Sequence, residues 1–340
     1  HDEPGARSEA SEAGGGGAEA ATESTGWSSE GAGPGLGIFR VSLSSSAKQH
    51  AESGSLGRWD ATRWQECDKP LRPIKADPKK VIDDVNDGLQ VDFANMYIGG
   101  GVLSGGCVQE EIRFSVCPEL TVSMLICEVL KDDEAILFRG GLRIAKTRGY
   151  AFNLEYDGVF SDEQPPPPFL AAIDACDYRD WGRGALGHQL EPATMLRELE
   201  KARAGFSLHQ FADASELLGA TKSVPGVVAT GNWGCGAFLG NRELKSLEQW
   251  MVASACGMEI FYSTFGDQGL ARSLNRLSED FSKGGTTVGQ LYRVLSSLSR
   301  AGRPGELGRP GAIFDAVRQA LKAQGGGGKE GTESAGVGGG

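Results

Sequence analysis

Residues 91–111 read VDFANMYIGGGVLSGGCVQEE. Three successive glycines, Gly99, Gly100 and Gly101, take every Cβ out of a short segment, so its backbone can adopt φ > 0 and approach another group closely. Successive N–H groups on such a segment can converge into an anion nest. A lone triple glycine is ordinarily a turn, but this one has an acidic cluster close behind it. Gln109, Glu110 and Glu111 come a short way on. Adjacent carboxylates on a regular helix point to different sides, and an exposed acidic pair is the commonplace reading. On a turn beside a glycine loop the pair instead converges on one ligand, and mutual repulsion raises the pKa of one member. A carboxyl group kept protonated is what a glycosidic leaving oxygen needs as general acid.

Outward from this stretch, short β-prone runs alternate with helical patterns. Ala135–Arg139, Tyr150–Tyr156, Phe169–Ala175, Val227–Thr230 and Glu259–Phe265 read as strands. Pro118–Leu130, with proline in its first turn, reads as a helix, as do Ala193–Ala204, Glu243–Cys256 and Thr287–Leu298. The alternation predicts an α/β sandwich. Several glycine clusters lie at strand ends, where such folds place their ligands. Residues 1–35 are Gly, Ala, Ser and Glu with almost no large apolar side chains, a composition too poor in core to offset chain entropy, and are expected to be disordered. The Gly-rich stretch 325–340 is read the same way, which leaves 36–324 as the folded unit. Pro165 to Pro168 predict a stiff, extended connector.

Composition narrows the function. The chain has 340 residues, 39% of them hydrophobic, a formal net charge of -11 and a pI near 5.0. So acidic a protein is poorly suited to gripping DNA or RNA by phosphate neutralisation, and no direct nucleic-acid binding is expected. A polyanion would have to be held locally, by backbone N–H groups and a few placed side chains. The seven cysteines form no C-x-x-C pair and the four histidines make no ligand box with them, so no metal site and no cofactor are expected. The odd, scattered set reads as reduced intracellular thiols. No run approaches the roughly 18 apolar residues of a membrane span. The chain opens on His1 rather than Met, and reads as a fragment or an incomplete gene model.

The pairing of GGG with QEE resembles the signature of poly(ADP-ribose) glycohydrolases, and its flanks match too, VDFAN before it and IRF and PEL after it. Further words of that family stand in the same order: WQECDKPL from Trp64 to Leu71, GNWGCGAF from Gly231 to Phe238, STFGD from Ser263 to Asp267, and TVGQLY from Thr287 to Tyr292. The resemblance covers about 64–298 and implies a macrodomain, a three-layer α/β/α sandwich with a mixed central sheet. It departs from the larger family members, which carry an all-helical region ahead of the macrodomain, and in the connector that holds Pro165 to Pro168.

By resemblance, Glu111 is the catalytic acid/base, Glu110 the neighbour that positions ribose hydroxyls, and Asp92 a third acid that organises the site. Asn95 is a ribose-side contact, and Gln109 belongs to the same signature. Gly99 to Gly101 would cradle a diphosphate together with the second loop, Asn232 and Gly234, Cys235, Gly236, Ala237 and Phe238. Tyr150 would stack on adenine, with Phe238 and Phe265 packed around the nucleotide, and Asp83 would read the adenine amino group. The implied partners are poly(ADP-ribose), ADP-ribose and poly(ADP-ribosyl)ated proteins, in the nucleus or cytoplasm. Commonplace readings stand beside these roles. A strand tyrosine usually pairs across a sheet, a phenylalanine at a strand end is usually core, and nothing near Cys235 would activate it. The alternatives are a macrodomain that binds ADP-ribose without cutting it, an enzyme that removes ADP-ribose from a protein side chain, and a scaffold with incidental glycine loops.

Overall fold

A computed structural model describes residues 36–44, 57–160, 169–207, 225–300 and 304–326. The segments expected to be disordered, 1–35 and the end of the tail from 327, lie outside these residues, as does the Pro165–Pro168 connector.

The nine strands among the described residues are β1 (Gly37–Ser42), β2 (Ile74–Asp77), β3 (Leu89–Ala94), β4 (Glu134–Arg139), β5 (Ala145–Arg148), β6 (Glu155–Val159), β7 (Phe169–Asp174), β8 (Val227–Gly231) and β9 (Glu259–Ser263). Seven form one sheet in the order β1-β4-β7-β3-β8-β9-β2, while β5 and β6 make a separate antiparallel hairpin. Pairing is antiparallel at one end, β1 with β4 and β4 with β7, and parallel from β7 onward. The sheet is therefore mixed, as expected.

Both faces of this sheet are buried. In β7, Phe169, Ala171 and Ile173 join one core while Leu170 and Ala172 join the other. In β4, Ala135 and Leu137 split from Ile136 and Phe138 in the same way. Period-two side chains with apolar residues on both faces give a continuous hydrophobic run, which is why these strands stand out in the sequence. The principal helices are α1 (Gln109–Val116), α2 (Pro192–Phe206), α3 (Arg242–Ala255), α4 (Gln268–Gly284), α5 (Val288–Arg300) and α6 (Ala312–Gly326). Phe114 and Val116 of α1 complete the smaller core, and α2 to α6 supply most of the larger one. No helix among the described residues is long and apolar enough to cross a membrane.

Three local expectations change. Tyr150–Tyr156 is not a strand: Gly149 and Ala151 have φ of 79° and 52°, so Tyr150 leads into a single turn, Ala151–Asn153, before β6 begins. Pro118–Leu130 is not one helix but a 3₁₀ turn, Pro118–Val122, and a short helix, Ser123–Ile126, that ends where Cys127 turns extended. Val122, Leu125 and Ile126 are exposed, so the segment lacks the apolar face that would hold a longer helix down. Finally β3, absent from the expected strands, lies at the centre of the sheet, its C-terminal end beside that of β7 and running in the same direction as β8 and β9.

Candidate active site

A cleft of about 540 Å³ opens over the C-terminal ends of these parallel strands, where crossovers leave room in α/β sheets. Its walls come from the turn after β2, the N-terminus of α1, the β5–β6 hairpin and the loop after β8.

The acidic pair belongs to a helix, not to a turn. Val108 is the N-cap of α1, and Glu111 reaches back so that its Oε2 accepts the Val108 N–H at 2.9 Å, one arm of a capping box. Glu110 and Glu111 thus occupy the first turn, where the helix dipole favours negative charge. They point to one place because the glycine loop wraps them. Gly99 N–H donates to Glu110 Oε1 at 2.6 Å, Asn95 N–H to Glu110 Oε2 at 2.9 Å, and Gly101 N–H to Glu111 Oε1 at 2.9 Å. Gly100 N–H goes to the Tyr97 carbonyl at 3.0 Å. A Cβ on Gly100, which has φ of 50°, would lie 2.6 Å from both Glu110 Oε2 and Glu111 Oε1. One on Gly106 would lie 2.7 Å from Glu111 Oε1. The sequence reading gives Gly99 to Gly101 a diphosphate; the structure differs. All three N–H groups are taken, and none of the three glycines lines the cleft. The anion in this nest is the protein's own carboxylate pair.

Gln109 is also engaged inward. Its side chain accepts from Phe93 N–H at 2.7 Å and donates to the Val91 carbonyl at 3.1 Å, so it extends the β3 ladder and fixes α1 to the strand. Beneath the pair, Asp92 is fully buried and neither carboxylate oxygen has a hydrogen-bond partner among the described residues. Burial pushes its carboxyl up, with Glu111 and Asp83 adding repulsion and Arg113 opposing. Glu110 is raised further, by burial and by Asp92, against the pull of its two N–H donors.

The second glycine loop has the free donors that the first lacks. Among the described residues, the N–H groups of Gly234, Gly236, Ala237 and Phe238 meet no acceptor. Gly234 has φ of 71°, and a Cβ there would stand 2.5 Å from that of Ala175. Under the loop lies Lys245, fully buried, its Nζ 4.2 Å from the Trp233 ring centre and paired with Glu198 and, at 3.6 Å, Glu248. Asn232 holds the loop to the sheet, accepting from the Tyr262 hydroxyl at 3.3 Å and donating to the Thr264 carbonyl at 3.4 Å. Cys235 lines the cleft, but burial drives its thiol strongly upward, which disfavours a reactive thiolate.

Two aromatic rings meet edge-on at the cleft, Tyr150 and Phe265, with centroids 4.8 Å apart. Phe265 is 59% exposed and has φ of 50°, a strained position for a residue with a Cβ. It is not core, and Tyr150, 37% exposed at the hairpin tip, is not paired across a sheet. Phe238 is half-buried, with the Arg179 guanidinium 5.9 Å from its ring centre. Asn95 and Asp83 line the same cleft, and Asp83 is ion-paired to Arg113. Arg113, Gly106 and Lys245 are not singled out by the sequence reading. The one local signal is a charged residue at a core position, the Arg in the apolar run after QEE.

Residues 61–272, well over half the chain, match the family described as poly (ADP-ribose) glycohydrolase, macro domain fold. Poly(ADP-ribose) glycohydrolase 2 of Caenorhabditis elegans is 32% identical over 273 residues, which are 76% of this chain and 53% of that protein. Poly(ADP-ribose) glycohydrolase 1 of Arabidopsis thaliana is 32% identical over 305 residues, 71% of this chain and 54% of that protein. The chain thus spans about half the length of these relatives. A poly(ADP-ribose) glycohydrolase from Deinococcus radiodurans, solved in complex with ADP-ribose, overlays with a TM-score of 0.38 at 15% identity, over 65% of this chain and 91% of that one, too loosely to place any residue. On the match to the family and on these two relatives, the chain belongs to the poly(ADP-ribose) glycohydrolase family.

Proposed function

We propose that this chain hydrolyses the ribose–ribose O-glycosidic bonds of poly(ADP-ribose) and releases ADP-ribose. The observation that carries this reading is the clamping of Glu110 and Glu111 together at a cleft that a donor-rich loop and an aromatic pair also line. A nucleoside diphosphate sugar fits this arrangement. Its diphosphate takes the free N–H groups of the Gly234–Phe238 loop, which lets an acidic protein hold an anionic polymer with neutral donors. Tyr150 and Phe265 flank the base.

Cleavage of the acetal-like linkage passes through an oxocarbenium-like state. Glu111 protonates the departing 2′ oxygen as the glycosidic C–O bond breaks. As carboxylate it then takes a proton from water, whose oxygen bonds to the anomeric carbon, so the proton lost in the first step is recovered in the second. Such acid–base help contributes about 10² to 10⁴ in rate, and the rest comes from positioning. Glu110, fixed by Asn95 and Gly99, faces the ribose hydroxyls. The substrates implied are the free polymer and poly(ADP-ribosyl)ated proteins, met in the nucleus or cytoplasm.

Incubation with poly(ADP-ribose), with products resolved as monomer and oligomers, tests the reading directly. Glu111→Gln should abolish turnover while ADP-ribose affinity stays within a few fold. The amide still accepts from Gly101 but opposes the Val108 N–H, a loss of roughly 1 kcal/mol of stability. Tight ADP-ribose binding with no cleavage by the unaltered chain would instead favour a non-catalytic ADP-ribose-binding macrodomain.

A further inference from the structure

Between β7 and α2 the chain makes a 3₁₀ turn, Arg179–Gly184, and a short helix, Ala185–Gln189. Trp181 and His188 stack there with ring centroids 3.7 Å apart and planes 10° apart, and Tyr178 meets His188 edge-on at 6.1 Å. His188 Nδ1 lies 3.0 Å from Glu191 Oε2, which fixes the imidazole. Gly182, at φ of 49° and ψ of -127°, breaks the turn just after Trp181, in a conformation that a residue with a Cβ resists. The indole is thus backed on one face by His188, yet Trp181 is 50% exposed and no second ring stacks on it among the described residues. A large flat ring held in place and left open at the surface is a ready platform for another flat ring.

This platform adjoins the second glycine loop. Tyr178 N–H donates to the Phe238 carbonyl at 3.0 Å, while the Gln189 side chain donates to the Leu239 carbonyl at 3.4 Å and accepts from Asn241 N–H at 2.7 Å. The segment that carries Trp181 and His188 is therefore bonded at both its ends to the end of the loop. The Arg179 guanidinium lies 5.9 Å from the ring centre of Phe238, which lines the cleft. Arg179 is itself held by Asp177, so the patch offers a ring to stack on and not a free cation for phosphate.

We infer that Trp181, backed by His188, is a stacking platform for a second adenine of the substrate, the base carried by the unit that departs. The inference rests on the reading that the cleft cuts poly(ADP-ribose), and adds a subsite outside it. The 2′ oxygen that Glu111 protonates belongs to the adenosine of the adjoining unit, so when one ADP-ribose fills the cleft another base stands outside it. A base–aromatic stack needs no directed hydrogen bond and suits a ligand held at a rim. A merely structural Trp181, which only secures the loop, predicts a different result: monomer and dimer would be weakened alike.

The test is equilibrium binding of ADP-ribose and of the dimer of ADP-ribose joined through the 2′ oxygen. Both are measured on Glu111→Gln, which leaves the dimer uncut, and on the same chain carrying Trp181→Ala, Trp181→Leu or His188→Ala, with thermal melts of each. Glu111→Gln should bind the dimer about 5- to 150-fold more tightly than ADP-ribose, the range of one base–aromatic stack. Trp181→Ala and Trp181→Leu should bring the two ligands within a few fold of each other while ADP-ribose affinity holds, and His188→Ala should fall between. Trp181→Leu keeps apolar bulk against His188, so it still reports if the alanine variant does not fold. A dimer advantage retained without the indole, the lack of any dimer advantage in Glu111→Gln, or both ligands weakened by one common factor overturns the inference alone. Failure of Glu111→Gln to bind either ligand overturns the reading of the cleft, and this inference with it.

Discussion

Gly100 stands between two carboxylates, and its lack of a side chain is what lets them share a site. Gly100→Ala would drive a methyl group to 2.6 Å from Glu110 Oε2 and Glu111 Oε1, and would strain a backbone at φ of 50° that alanine resists. We expect loss of most hydrolytic activity and a destabilisation of about 1–3 kcal/mol, read by activity assay and denaturant unfolding; unchanged activity would show that the pair tolerates displacement. Asp92 carries a pH signature. Burial raises its carboxyl to about 7, above an unfolded value near 4. The folded state then binds this proton more tightly than the unfolded state, so the stabilisation is complete below pH of about 4 and is lost as pH rises towards 7, by up to roughly 1.4 kcal/mol per pH unit. The melting temperature of the unaltered chain should therefore fall more steeply from about pH 5 to pH 7 than that of Asp92→Asn. Parallel slopes would place the titration elsewhere.

At the scale of elements, the β5–β6 hairpin is the part that the sequence hides best. Gly149 and Ala151, both at positive φ, turn the chain so that Tyr150 meets Phe265 edge-on at the cleft instead of entering a strand. Tyr150→Ala should raise the ADP-ribose dissociation constant about 5- to 150-fold, the cost of a lost base–aromatic stack. The change in melting temperature should be small, since the ring is only partly buried. Tyr150→Phe should be milder, because the ring face survives. A large drop in melting temperature with normal binding by the folded fraction would mean that Tyr150 serves the fold and the base sits elsewhere. The helix α1 shows the opposite case. Its start is legible as QEE before an apolar run, yet local pattern points to a turn, because the capping box here uses Glu111 with a valine at the N-cap and not the usual Ser or Thr.

Across the whole molecule, the face of the sheet opposite the acidic pair hides a chain of charges. Asp174 pairs with Arg197 at 2.6 Å and with Lys201 at 2.7 Å, Arg197 with Glu198 at 2.7 Å, and Glu198 in turn with Lys245 beneath the second glycine loop. Lys245→Ala would leave Glu248 buried without its cation and Glu198 with Arg197 alone, and removing one partner of a buried pair costs about 3–5 kcal/mol. We expect a marked fall in melting temperature that added salt does little to change, because the pairs are shielded from solvent. A variant that melts with the unaltered chain would show that water or rearrangement replaces the ammonium. In the sequence these residues read as ordinary charged positions on amphipathic helices, since pairing between α2, α3 and β7 joins residues far apart in the chain.

Short-range order was already written in the sequence. Apolar runs buried on both faces marked β4, β7, β8 and β9, helical periodicity marked α2, α3 and α5, and the words GGG, QEE and GNWGCGAF marked the two loops, because each depends on neighbours within a few residues. Tertiary structure decided which of the two loops keeps its N–H groups free. The N–H groups of Gly99 and Gly101 meet Glu110 and Glu111 only because α1 docks on β3 through Gln109, while those of Gly234, Gly236, Ala237 and Phe238 stay free because nothing among the described residues supplies them an acceptor. A backbone donor bonds whatever the fold brings within about 3 Å, and that choice is made between distant segments, so no local pattern records it.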